Sequence, residues 1–215
     1  MNVLITAGPT FEPLDSVRRL TNFSTGRLGT ELAAFFADQG HSVFLLRGAG
    51  CTWPASAKWP EFGVFTTASS LSDRFEQLSR QKVDVIFHTA AVCDFAFGQI
   101  VQKQSGAPVS AGKISTALGA LAAELIPVPK ILAQLRRWFP DALLAGWKFE
   151  VDGDQSTALA KAREQIQANQ TDACVANGPA YGEGFGFVAA REEVLHLPDR
   201  ASLFHALLEW TERMK

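Results

Sequence analysis

Unbroken apolar stretches recur along this 215-residue chain, separated by segments with helical spacing. They read "NVLITAG", "HSVFLLRG", "VDVIFHTAA", "ALLAGWKFE" and "DACVANG". A strand with no polar face has to be covered on both sides, which is the condition of a parallel sheet between two layers of helices. The predicted class is therefore α/β: a doubly wound, Rossmann-like, mostly parallel sheet with helices on both faces and a C-terminal hairpin. After the first strand, Leu28, Leu32, Phe35 and Phe36 mark one stripe of a helix over "RLGTELAAFFADQG", and Gly40 is placed to end it. Near the other end "GFGFVAA", "REE" and "VLHL" read as the hairpin. A closing helix, "ASLFHALLEWTERMK", follows with Leu203, Ala206, Leu207 and Trp210 on one face. Residues 96–112, "AFGQIVQKQSGAPVSAG", break the pattern and read as a long loop or flap. No repeat or linker divides the chain, so residues 1–215 are expected to form one domain.

Composition removes several functions. With 47% hydrophobic residues, 20% charged and a net charge of −2, neither disorder nor a polyanion-coating surface is expected, so nucleic acid is not an expected partner. Cys51, Cys93 and Cys174 form no C-x-x-C pair, which argues against a disulfide framework or a thiolate zinc site and for a reduced, cytoplasmic compartment. No apolar run reaches the roughly 18 residues of a membrane span, and no basic leader precedes "NVLITAG", so no membrane partner is expected.

The motifs narrow the chemistry further. A doubly wound sheet invites a dinucleotide, yet "NVLITAG" leads into "PTFEPLDSVRRL" instead of a glycine fingerprint opening a helix. The one tyrosine, Tyr181, has Phe185 four residues on, so the Tyr-x-x-x-Lys pair of short-chain reductases is missing. No G-x-S-x-G elbow occurs, and His41, His88, His196 and His205 fit no H-E-x-x-H. His41 and His205 read as exposed structural residues, whereas His88 ends an apolar strand and could line a site. What remains is a series of clusters, most of them at strand ends: "AGPT", "NFSTG", "TAAVCDF", "GKIST", "VPKIL" and "GWKFE". Small residues there admit a ligand to the backbone, the helix after "STG" offers free N–H groups to phosphate, and Lys113 adds a positive charge.

Taken together and in order, these stretches resemble the phosphopantothenoylcysteine synthetase family, ligases that join cysteine to 4'-phosphopantothenate in coenzyme A synthesis. The resemblance rests on "ITAGPTFEPLDSVRRLTNFSTGRLG", "TAAVCDF", "GKI", "VPKIL", "WKFE" and "VANG", and extends through "FGFVAAREEVLHL". It implies that a nucleoside triphosphate with Mg2+ activates the phosphopantothenate carboxylate, releasing pyrophosphate, and that the cysteine amine then displaces the nucleoside monophosphate. By the same resemblance Asn22 is the amide that stabilises the acyl-nucleotide and its oxyanion, with capping of the following helix as the alternative. Lys113 would neutralise the leaving pyrophosphate, with N–H groups around Pro129, Lys130 and Ile131 beside it. Gly8, Ser24 and Gly26 would serve a phosphate, Ala90 and Ala91 would let the nucleotide lie against the strand end, and Asp94 would contact its base or sugar. Trp147 stands where the family has a Phe beside the nucleotide, and Arg18 would be an anion contact.

Departures from the bacterial pattern point to the eukaryotic branch. The lysine-rich motif reads "KIST", Lys130 replaces an acid in "PKI", and a pair of lysines before the "VAN" strand is missing, with Gln165 and Asn169 near those positions. The resemblance therefore leans to ATP over CTP. It also implies a homodimer without flavin, the decarboxylase being a separate protein. No carboxylate pair has the spacing of magnesium ligands, so the ion is expected mainly on the triphosphate.

Overall fold

A computed structural model describes residues 1–55, 62–190 and 193–214. The elements are β1 (Asn2–Ala7), β2 (Phe11–Pro13), β3 (Arg19–Thr21), α1 (Arg27–Asp38), β4 (Ser42–Gly48), β5 (Phe62–Phe65), α2 (Ala68–Leu78), β6 (Val85–His88) and β7 (Phe95–Gln102). They continue with β8 (Leu121–Pro127), α3 (Leu132–Trp138), β9 (Leu143–Phe149), α4 (Gln155–Asn169), β10 (Ala173–Asn177), β11 (Phe185–Ala189), β12 (Leu195–Leu197) and α5 (Arg200–Arg213). Eight strands share one sheet in the order β12-β11-β10-β9-β6-β1-β4-β5. The six from β5 to β10 are parallel, and β11 and β12 return antiparallel as the expected hairpin. Arg191 and Glu192, part of the "REE" read between its strands, lie outside the described residues.

The absence of a polar face is explained strand by strand. In β1, Val3 and Ile5 enter the layer made by α1 and α5 with Phe36, Phe87 and Trp210, while Leu4 enters the opposite layer with Ile86, Phe75 and Leu135 from β6, α2 and α3. Successive residues thus alternate between two dry layers, each large side chain contributing roughly 1.5–3 kcal/mol of burial. On the side of β10 and β11, α4 packs Ala158, Ala162 and Ile166 against Cys174, Ala176 and Val188. The α1 stripe is as read: Leu32 and Phe36 are buried, with Leu28 and Phe35 at the margin. The helix stops where Gly40 takes φ 80°.

Residues 96–112 are a correction. Rather than one long loop, Phe95–Gln102 is a strand paired antiparallel with β8, irregular between Phe97 and Ile100. This ribbon is separate from the main sheet and buries only Ile100 among the residues of β7, so it needs no apolar run. Its hydrogen-bond partner comes from further along the chain, which hid it from local pattern.

The order of winding reverses between β1, whose outward neighbour is β4, and β6, whose outward neighbour is β9, although the two strands are parallel. In open α/β sheets such a reversal leaves a crevice at the carboxyl ends of the strands. At that edge β6 ends in His88, 7% exposed, whose Nδ1 is 2.9 Å from Thr6 Oγ1. The same hydroxyl accepts from the Ala90 N–H at 3.0 Å, which ties the end of β6 to the loop that follows it. Burial pushes the His88 pKa from 6.5 down to about 4. A depressed folded-state pKa gives stability that is present above 6.5 and is lost as pH falls toward 4, because only the unfolded chain takes up the proton readily. Between pH 7 and pH 5, urea unfolding of the wild type should therefore lose about 2 kcal/mol more than that of His88→Gln.

Candidate active site

The loops that follow β1 and β6 are bonded to each other across the crevice. The Ala91 N–H donates to Gly8 O at 3.0 Å, and the Thr10 N–H donates to Ala91 O at 3.1 Å. Thr10 Oγ1 accepts from the Cys93 N–H at 2.8 Å. Asn22 reaches the same point, its Nδ2 donating to Ala91 O at 3.1 Å. It is exposed and does not cap α1, whose N-cap is Gly26 with φ 79° and no side-chain hydrogen bond. The capping alternative for Asn22 is thereby removed.

Beside this junction lies a cavity of about 600 Å³. His88, Ala90 and Asp94 line it after β6, Pro129, Lys130 and Ile131 before α3, Trp147 on β9, and Gln165 and Asn169 on α4. Six of the expected nucleotide contacts, Ala90, Asp94, Pro129, Lys130, Ile131 and Trp147, therefore converge on one space. Lys130 is ion-paired with Asp94. Gly146 brings α4 close, since a Cβ there would lie 2.8 Å from Gln165 Nε2. That amide donates to Trp147 O at 3.4 Å. The Trp147 ring stands edge-on to Phe87 at 6.4 Å, and its indole N–H is buried with no hydrogen-bond partner among the described residues.

Sequence reasoning missed the charged wall of this cavity. The Glu150 carboxylate, on a residue 8% exposed, sits 3.0 Å from Lys148 Nζ and is also ion-paired with Lys161. Hydrogen bonding from Lys161 and then from Lys148 draws the Glu150 pKa below its ordinary value despite burial, and the same bond raises that of Lys161. The helix before the "VAN" strand does supply a cation: Lys161 lines the cavity one turn before Gln165. Residues 161, 165 and 169 fall on one face at helical spacing, and that periodicity was the signal available.

Other expected contacts lie apart from the cavity lining. Gly8 and Gly26 have a packing reason to lack side chains, because a Cβ on either would lie 2.0 Å or 2.5 Å from Cys51 Sγ. With Ser24 they surround the start of α1, on the chain that leads from Asn22. Ala91 contributes backbone groups. Lys113 is exposed in the segment after the turn of the flap. Arg18 is engaged by Asp15 and by Ile114 O, at 2.7 Å, which makes it a brace. The Tyr181 hydroxyl is 2.9 Å from His196 Nδ1. His205 is exposed as expected, whereas His41 is half-buried with its ring 5.6 Å from that of Phe36. Among the described residues no group of three or more His, Cys, Asp or Glu could hold a metal, and no helix is long and apolar enough to cross a membrane.

Comparison with known proteins agrees with this geometry. The family model of the DNA/pantothenate metabolism flavoprotein C-terminal domain matches residues 1–206. The coenzyme A biosynthesis bifunctional protein CoaBC of Thermococcus kodakarensis is 31% identical over 175 residues, 81% of this chain and 40% of that protein. Its Bacillus subtilis namesake is 32% identical over 193 residues, 86% of this chain and 42% of the relative. The chain thus spans about two fifths of the length of these curated relatives. Among solved structures, the DNA/pantothenate metabolism flavoprotein of Streptococcus pneumoniae shares the fold with a TM-score of 0.85 at 24% identity, covering 100% of both chains. A Cab2 variant in complex with phosphopantothenate-cysteine has a TM-score of 0.75 at 20% identity, over 99% of this chain and 85% of that one. With its doubly wound sheet and a match across residues 1–206, the chain belongs to the family of the DNA/pantothenate metabolism flavoprotein C-terminal domain.

Proposed function

We propose that the chain, acting as one domain, is a cytoplasmic phosphopantothenate–cysteine ligase, and that the cavity beside Ala91 holds its nucleotide. A carboxylate oxygen of 4'-phosphopantothenate attacks the α-phosphorus of a nucleoside triphosphate, pyrophosphate leaves, and an acyl-nucleotide remains. The cysteine amine then attacks the acyl carbon, and the nucleoside monophosphate departs with the former carboxylate oxygen. The observation that carries this reading is the bond from Asn22 to Ala91 O, because Ala91 lies between Ala90 and Val92, which line the cavity, and the bond sets a neutral amide beside a space lined by lysines and carboxylates. An amide can donate to the acyl oxyanion without permanently clamping a phosphate. The relatives' role in coenzyme A biosynthesis supports the assignment, and the compound held by the Cab2 variant is the product this reaction would form.

The remaining roles follow the chain's own chemistry. Ser24 and Gly26, at the start of α1, offer N–H groups to phosphate; Gly8 lies beside them. Ala90, Asp94, Pro129, Lys130, Ile131 and Trp147 enclose the nucleoside, and Lys113 meets the pyrophosphate. ATP is the proposed nucleotide, with CTP as the comparison, and magnesium enters bound to the triphosphate. No step transfers electrons, so the reaction calls for no flavin. A homodimer forms through the flap, where Phe95, Leu125 and Ile126 are 42%, 51% and 46% exposed.

Three measurements test this reading. Pyrophosphate release with phosphopantothenate, cysteine and magnesium should be faster with ATP than with CTP, and should vanish without phosphopantothenate. Silence with both nucleotides would leave a non-catalytic nucleotide-binding relative. Asn22→Ala should reduce turnover by ~10²–10³ while leaving the urea midpoint within error of the wild type, since Asn22 caps no helix. Leu125→Asp should shift the sedimentation coefficient from dimer to monomer.

A further inference from the structure

The flap segment that carries Lys113 is fastened to the turn between β2 and β3 by one carboxylate. Asp15 Oδ1 accepts from the N–H groups of Val17 at 2.9 Å and Arg18 at 2.7 Å. Its Oδ2 accepts from Arg18 Nε at 3.0 Å, from Arg18 Nη2, and from the Ile114 N–H, 99 residues away, at 3.1 Å. The Asp15 side chain has 0% exposed surface, although the Arg18 side chain above it is 44% exposed. Two further bonds cross the same gap: Arg18 Nη2 to Ile114 O at 2.7 Å, and the Ser16 N–H to Gly112 O at 3.0 Å. The bonds bracket Lys113 on both sides, while its side chain extends into solvent. The turn they anchor runs on through β3 to Asn22.

We propose that Asp15 and Arg18 form a latch that positions Lys113 relative to Asn22. They are positioning residues, acting through Lys113. The inference rests on the reading of Lys113 as the cation that meets the leaving pyrophosphate. Without the latch, residues 110–113, which run from Val109, bonded to Ile100 O, to the buried Ile114, would be held only at their ends and would carry the lysine through more arrangements. With it, the backbone on either side of Lys113 is fixed before substrate arrives, and only the side chain remains to be ordered. The Arg18 guanidinium holds the Asp15 carboxyl well below the usual carboxylate range, so the latch keeps its charge at any pH at which the reaction would be assayed.

Trypsin cleavage after Lys113, located by mass spectrometry, reads the latch directly. Pyrophosphate release reads its consequence. In Asp15→Asn, cleavage after Lys113 should quicken at least ~10-fold. The kcat/KM for the nucleotide should fall about 10-fold, within the ~10²-fold that a misplacement of about 1 Å can cost. In a Lys113→Ala background the same substitution should change kcat/KM by less than about 2-fold, because the group it positions is gone. Arg18→Gln, which leaves the backbone bonds to Asp15 in place, should give the same pattern at smaller amplitude and covers the event that Asp15→Asn does not fold. Unchanged cleavage in both variants, or a loss of equal size with and without Lys113, would overturn the proposal. A wild type that releases no pyrophosphate would overturn the ligase reading instead, and the cleavage rates would then decide the latch alone.

Discussion

Burial of the central strands on both faces is the constraint from which the rest of this molecule follows. Val3, Ile5 and Phe87 fill one helical layer while Leu4 and Ile86 fill the other, so β1 and β6 have no surface left for polar work. Function is displaced to the strand ends, where backbone groups run out of ladder partners and must find others. Here they find one another. Gly8, Thr10, Ala91 and Cys93 are bonded loop to loop, and the Ala91 carbonyl carries the Asn22 amide as well as the Thr10 N–H. The position of the proposed oxyanion donor is thus inherited from the sheet through two hydrogen bonds.

The cavity beside this junction owes its charge to compensation. Each lysine that faces it is answered by a carboxylate: Lys130 by Asp94, and Lys148 and Lys161 by Glu150. For the half-buried Lys148 and Lys161 an unanswered charge would cost lost hydration, whereas the largely exposed Lys130–Asp94 pair carries little such cost. Pairing holds these lysines in place along the cavity wall.

Much of the fold was legible because it depends on local pattern. Apolar runs without a polar face could only be central parallel strands, and the stripe from Leu28 to Phe36 could only be a helix lying on them. The flap ribbon was not legible, since β7 is held by β8 and by little core of its own. At the site, motif resemblance picked out six residues that share the cavity, yet it gave no role to Lys148 and Glu150 within "WKFE" and did not include Lys161. Their meaning depends on β9 and α4 standing side by side, a tertiary fact. Arg18, read as an anion contact, has in the fold a carboxylate partner in Asp15 and a bond to Ile114 O, 96 residues on, that no local pattern announces.

The two rims of the main sheet also have a bearing on how copies of the chain meet. The edge strands β5 and β12 are four and three residues long, too short to template another strand over any distance. The flap strands, eight and seven residues long, each have one partner only within their sheet. The outer edge of β7 is partly taken, since the Gln102 N–H donates to Ala107 O and the Val109 N–H to Ile100 O, both at 2.8 Å, so β8 is the flap strand left to offer its far edge to another chain. A contact made there would fall on the same element that bears Lys113, so self-association and the segment that Asp15 holds would not be independent.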